Sequence, residues 1–338
     1  MEHPDETGRT PGLSHLWWLR LLDRTGLSPW LLGFGGFLAL TIIAVVMLII
    51  VRYPDPAMYR NSIAFTAIIS FFLVFYFSMG RGWYRDLLSF LDFDPSLERF
   101  IEVIIPSRKV VYIEMAIALL CAIVNLQINQ QINLDYSLLM AVSFVAFYFL
   151  EYLLIVLSID VVLRELLCVT RIAQNIRIDL IRADFYSTLA NIMVRNVGLY
   201  IFGLCIISLS YIVFTEGTLS FSAMLLLMMP WYLPGLILIV CYLVPYNQFR
   251  KRLRSRKEQE LNCVSAALAG NYQALDHSLL KGEQGLSKID LLMYQDRIRA
   301  IREWPFTDRI RSLVLFGILP PLTWVIAALI EISIEGAL

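Results

Sequence analysis

A chain of 338 residues that is 58% hydrophobic, 17% charged and formally neutral carries more apolar side chain than a water-soluble fold of this length can bury. Its mean hydropathy is +0.67, and its apolar runs are continuous over about 20 residues, the length a helix needs to cross about 30 Å of hydrocarbon. It therefore reads as an all-α, polytopic transmembrane bundle, which excludes the alternating strands of a β-barrel, and its zero net charge implies no nucleic-acid partner.

The polar stretch Met1 to Thr10 lacks the basic start, short apolar core and cleavage site of a secretory signal, so the first apolar run is expected to stay as an anchor. Ser14 to Thr25 sets Leu16, Trp17, Leu21 and Leu22 against Arg20, Asp23 and Arg24, the pattern of a short interfacial helix with Trp17 and Trp18 at headgroup level. About seven spans follow, expected at 30–51, 62–79, 110–128, 136–161, 196–214, 221–246 and 309–332. The chain thus divides into a cytoplasmic tail and interfacial helix (1–29), spans one to six (30–249), a cytoplasmic helical segment (250–308) and a last span (309–338).

Lys and Arg orient the bundle, because they accumulate on the cytoplasmic side. Arg9, Arg20 and Arg24 precede the first span, Arg81 to Lys109 separate the second from the third, and Arg164 to Arg195 separate the fourth from the fifth. Arg250, Lys251, Arg252, Arg254, Arg256 and Lys257 follow the sixth, whereas Gln127 to Asp135 and Thr215 to Ser220 contain neither Lys nor Arg. The alternation outvotes the basic hairpin Arg52 to Arg60 and predicts a cytoplasmic N-terminus and an external C-terminus in a bacterial inner membrane.

Two cytoplasmic connections are too long for turns. Over 166–191, Ile172, Ile176 and Leu180 alternate with Arg171, Asn175, Asp179 and Arg182 at a helical period, which extends the bundle beyond the membrane. Arg250 to Pro305 reads as two or three helices continuing the sixth span, with turns at Gly270 and Gly282 to Gly285 and a capping box at Ser287 and Asp290. Trp304-Pro305 closes it, and Thr307 or Asp308 can cap the last span.

Arg177-Ile178-Asp179-Leu180, Lys257-Glu258 with Glu260-Leu261, Tyr294 with Arg297, Glu303-Trp304-Pro305-Phe306, and Pro321, Trp324 and Glu331 occur in that order. This order resembles a group of uncharacterised proteobacterial multipass membrane proteins over roughly the C-terminal half. Here Thr307 separates Trp-Pro-Phe from Asp308, and a Pro320-Pro321 pair replaces a single proline. The resemblance implies a membrane family and carries neither activity nor site residues. The layout of seven spans with a cytoplasmic bundle before the last is also similar to that of insect chemoreceptor channels, an analogy of topology alone.

Nothing points to an enzyme or a cofactor. His3, His15 and His277 cannot share a helical face, and there is no H-E-x-x-H, G-x-S-x-G or P-loop. Gly33-Phe34-Gly35-Gly36 lies inside an apolar span with no preceding strand, so it reads as a site of close helix packing. Cys121, Cys168, Cys205, Cys241 and Cys263 are scattered singly, as apolar fillers or free thiols.

The informative residues are polar groups at membrane depth, where a lone charge costs several kcal/mol. Glu151, near the middle of the fourth span, with Glu114 or Asn125 of the third, forms a candidate ion or proton site. The other reading of Glu151 is a protonated carboxyl bonded to a hydroxyl, or a partner of Arg195. Glu114 and Asp160 have Arg108 and Arg164 within reach.

Pro230, Pro234 and Pro245 in the sixth span and Pro320 and Pro321 in the seventh free backbone carbonyls, as hinges or as static kinks. Arg250, Lys251, Arg252 and Arg254 act as an orientation signal or contact lipid headgroups. Three functions remain open: a homo-oligomeric channel-like or receptor-like protein, an ion- or proton-coupled transporter, and a scaffold that recruits a cytoplasmic protein partner.

Overall fold

The computed structural model of the chain describes residues 16–51, 56–97, 107–128, 138–176, 178, 180, 186–214, 221–281 and 286–301. Eight α-helices lie among them, with no strand. They are α1 (Trp17–Arg24), α2 (Pro29–Val51), α3 (Pro56–Phe93), α4 (Arg108–Ile128), α5 (Leu138–Asn175), α6 (Tyr186–Phe214), α7 (Phe221–Leu268) and α8 (Lys288–Ala300).

Local chemistry explains several boundaries. Ser28 Oγ accepts the Leu31 N–H at 3.2 Å, and Pro29 takes the first helical position, where its missing N–H costs nothing. Gly26 turns the chain from α1 into α2 at φ 69°, the left-handed region that a Cβ disfavours. The expected capping box is formed: the Asp290 N–H donates to Ser287 Oγ at 3.2 Å and the Ser287 N–H to Asp290 Oδ2 at 3.0 Å.

Four stretches are long and apolar enough to cross a membrane: Pro29–Ile50, Met58–Phe93, Val142–Asn175 and Asn191–Ser210. This all-helical, apolar architecture is compatible with an integral membrane protein. The span expected at 110–128 falls on α4 and that at 221–246 on α7. The last span, with Trp304-Pro305, Pro320 and Pro321, lies outside the described residues, as do Gly282 to Gly285 and the Arg52 to Asp55 part of the basic hairpin.

The helices are longer than a bilayer requires. At 1.5 Å per residue, the 38 residues of α3 and of α5 make rods of about 57 Å, and the 48 residues of α7 one of about 72 Å. A hydrocarbon layer is about 30 Å thick. The excess lies at the ends that carry the basic residues: the C-terminal ends of α3, α5 and α7 and the N-terminal end of α6.

These ends meet. Trp83, Leu87 and Phe90 of α3, Cys168, Val169 and Ile172 of α5, Leu189, Ile192 and Met193 of α6, Tyr242, Phe249 and Leu253 of α7, and Ile298 of α8 form the largest core among the described residues. Chain connections deliver Leu97 and Leu180 to the same core.

In the apolar halves, α3 is the central helix. Of its span, 67% is buried, against 17% for α2. Close approach of α2 to α3 depends on glycine: a Cβ on Gly33 would stand 2.0 Å from Val74 Cγ2, and one on Gly36 3.2 Å from Leu73 Cδ2. The outer faces of α2 and α4 present apolar side chains, among them Phe34, Ile42, Ile113 and Leu120.

The short helix α1 is tied to α3 through Asp23. Arg81 of α3 donates from Nε to Asp23 Oδ1 at 2.7 Å and from its Nη atoms to the carbonyls of Leu27 and Asp23. Its guanidinium also lies over the Phe77 ring, 5.3 Å from the centroid. Leu19 is buried beneath α1 while Trp17 and Leu21 stay exposed on its other face.

Candidate functional site

The helix α5 carries polar groups on two different faces, and its periodicity decides which neighbours they meet. Leu153, Leu157, Asp160 and Arg164, spaced by four, three and four, share a stripe; Leu153 and Leu157 pack with Ala118 and Met115 of α4. Glu151, Leu154, Ser158, Val162, Glu165 and Val169 share a second stripe; Val162 packs with Phe71 and Phe75 of α3 and Leu199 of α6.

On the first stripe, Asp160 Oδ2 accepts from Arg164 Nε at 2.5 Å, one of the pairings open from sequence. Glu114 reaches across from α4, close enough for a carboxyl–carboxyl hydrogen bond with Asp160, and Arg164 acts on it from further off. Both Glu114 oxygens are buried and, among the described residues, receive no hydrogen bond from a donor. Asn125, half-buried, lies eleven residues further along α4, which at 1.5 Å per residue is about 16 Å from Glu114.

On the second stripe, Glu151 is buried, and no charged or hydrogen-bonding group among the described residues acts on it. It therefore does not join Glu114 in one site, because the two reach opposite sides of α5. Ser158 Oγ, two turns along the same stripe, is also buried, with no hydrogen-bond partner among the described residues.

Two turns beyond Ser158, Glu165 has a fully buried side chain in a network that links four helices. Arg195 Nη2 of α6 donates to Glu165 Oε1 at 2.8 Å, and Arg195 Nη1 to Asp86 Oδ2 of α3 at 2.5 Å. Asn196 Nδ2 donates to Glu165 Oε2 at 2.9 Å and lies 2.7 Å from the Tyr242 hydroxyl of α7. Arg195, one of the partners considered for Glu151, is thus engaged elsewhere.

Gly82 makes room for that guanidinium: a Cβ there would stand 2.4 Å from Arg195 Nη1. Sequence reasoning missed this network because Asp86 and Glu165 lie past the ends of the apolar runs, outside the polar groups sought at membrane depth, and Arg195 was weighed only as an orientation signal and as a partner of Glu151. The usable signal was glycine and acid one turn apart, Gly82 and Asp86, on a helical period.

The remaining residues singled out from sequence fall as follows. Pro230, Pro234 and Pro245 lie within α7, which stays helical through all three. In the basic run, Arg252 donates to the Ala173 carbonyl at 2.7 Å and the Ile176 carbonyl at 3.0 Å, closing the C-terminal end of α5. Lys257 likewise donates to the carbonyls of Arg299 and Ile301 at the end of α8, at 2.9 and 2.8 Å.

Lys251 is exposed, Arg250 is half-buried, and Arg254 forms an exposed pair with Glu258 at 2.8 Å. Buried Glu260 of α7 accepts from Ser278 Oγ and from the Tyr294 hydroxyl at 2.9 Å, which docks α8.

Among the described residues, the cysteines are free thiols and no group of three His, Cys, Asp or Glu side chains is placed to hold a metal ion. The arrangement offers buried carboxyls, able to exchange protons, and an ion-paired junction. No known protein family, curated protein or solved structure matches the chain.

Proposed function

We propose that this chain is a multispan protein of a bacterial inner membrane, with its N-terminus inside, about seven spans and an external C-terminus, working as a channel-like or receptor-like homo-oligomer. The group of proteobacterial membrane proteins that it resembles is its proposed family. The observation that supports the channel-like reading is α7. One unbroken helix joins an apolar half that contains Pro230 and Pro234 to the packed core at the basic end. A displacement of that core is therefore passed along a rigid rod into the membrane.

The outward apolar residues Leu233, Ile237, Val240 and Val244 of the same helix form a stripe at spacings of four, three and four, suited to a lipid or subunit contact. A second reading, an ion- or proton-coupled transporter, draws on Glu151, a buried carboxyl with no compensating neighbour. The scaffold reading draws on Ile289, Leu292 and Met293 of α8, an exposed apolar stripe.

The test is ion flux from liposomes reconstituted with the purified chain, together with subunit counting. An oligomer with flux that Glu151→Gln leaves unchanged fits the channel. Flux that depends on a proton gradient and is abolished by Glu151→Gln fits the transporter. A chain that carries no flux under gradients of cations, anions or protons would overturn both and leave the scaffold.

A further inference from the structure

The facing pair Glu114 and Asp160 presents a problem of hydrogen-bond inventory. An ionised carboxylate only accepts, so two of them in contact repel and leave lone pairs without donors. Glu114 is 5% exposed, and among the described residues neither of its oxygens receives a hydrogen bond. Asp160 has one, Arg164 Nε, at 2.5 Å. Two carboxylates and one guanidinium sum to one uncompensated negative charge between α4 and α5, where burial makes that charge costly.

One proton removes both difficulties. With Glu114 protonated, its O–H donates to Asp160, the remaining negative charge sits on Asp160, and Arg164 neutralises it. We infer that Glu114 and Asp160 form a proton-binding site in which one shared proton joins α4 to α5.

The occupant is a proton and not calcium or magnesium, which take six or more oxygen ligands. The Glu114 face of α4 offers Val111, Met115 and Ala118 instead. On the elements packed against this face, the charged groups acting on Glu114 are Asp160 and Arg164 of α5. Asp23 of α1 and Arg81 of α3 are engaged with each other.

Release takes the proton from the Glu114 O–H to bulk water and leaves two ionised carboxylates. The bond between the helices becomes a repulsion. The packing that remains on that stripe is Ala118 and Met115 against Leu153 and Leu157, so deprotonation loosens α4. The site does not depend on whether the assembly conducts ions.

Infrared difference spectroscopy on the full chain in liposomes tests this directly. A protonated carboxyl gives a C=O band that shifts down on exchange into deuterium oxide, which an ionised one does not. The measurement is made in a Glu151→Gln background, to remove the buried carboxyl on the other stripe of α5 that has neither an ion pair nor a hydrogen bond among the described residues.

That band is expected at neutral pH, to disappear on Glu114→Gln, and to be lost from the parent as pH is raised. Asp160→Asn, which replaces the acceptor, is expected to shift the band rather than abolish it, and it supplies the assay if Glu114→Gln does not insert. A band unchanged by both substitutions would overturn the proposal. So would a band that disappears when sodium replaces choline at constant pH and ionic strength, which would make the occupant a monovalent cation.

Discussion

The two halves of this molecule are held together by different physics. At the basic end, α3, α5, α6, α7 and α8 bury Trp83, Phe90, Tyr242 and Phe249 in one core, and the Glu165 network fastens four of the helices. In the apolar halves, α3 is enveloped but α2 and α4 leave much of their surface outward. In lipid that surface has no hydrophobic reason to associate, since hydrocarbon tails are as apolar as leucine; association there relies on small-residue contacts such as Gly33 on Val74. At the basic end the driving force is the ordinary one of a water-soluble core. The fold is therefore tighter at its basic end and looser in its apolar halves.

Breaking the junction is the strongest test of this contrast. Arg195→Ala leaves Glu165 buried without its counter-ion and Asp86 without its partner, and removing one member of a buried pair costs about 3–5 kcal/mol. The expected result is a large drop in the thermal midpoint in detergent, followed by circular dichroism. Arg195→Lys is expected to recover only part of it, because an ammonium cannot bridge two carboxylates as a planar fork does.

Phe90→Ala comes next, expected to cost about 3–5 kcal/mol through lost burial and the cavity left behind. Phe34→Ala, on the outward face of α2, is expected to stay within about 0.5 kcal/mol. Equal effects from the two phenylalanines would remove the distinction between the halves.

Gly33→Val probes the weaker contact. Overpacking against Val74 is expected to cost about 1–3 kcal/mol and to separate α2 from α3, read as lost crosslinking between cysteines placed on the two helices. Smallest is Ser287→Ala, which removes a cap worth about 1 kcal/mol and is expected to raise amide exchange in α8 alone. The Ser287 hydroxyl and N–H hold the Asp290 carboxyl below its ordinary range. The stabilisation they give is therefore present above the ordinary carboxylate value of about 4 and lost as pH falls below it, again only in α8.

Much of the helical plan was legible in the sequence. Apolar runs located α2, α4 and the apolar part of α5, and the Ser287 to Asp290 spacing marked the capping box that the structure forms. Each of these is a local signal, read within one or two turns.

The end of α3 was not legible by the same means. Arg81 and Asp86 interrupt its apolar run, and both are paired with other helices there, with Asp23 of α1 and Arg195 of α6. Arg195 meets Asp86 across a separation of 109 residues and Glu165 across 30. The acid at Glu114 was legible as unusual, but its partner was not. That depended on which face of α5 turns toward α4, and a shift of one residue, about 100° around the helix, would have presented Ile159 or Val161 in its place.

The hydrogen bonds from Arg252 to the end of α5 also set an order of events during synthesis. The carbonyl of Ile176 waits for a side chain 76 residues further along, and at about 5–20 residues per second that interval lasts roughly 4 to 15 seconds. Until then the end of α5 has emerged without its cap, and the helices of the junction have no fourth member. Over that interval the earlier helices are held by contacts among themselves, such as Gly33 on Val74, and the junction is completed late, when α7 arrives with the cation that caps α5.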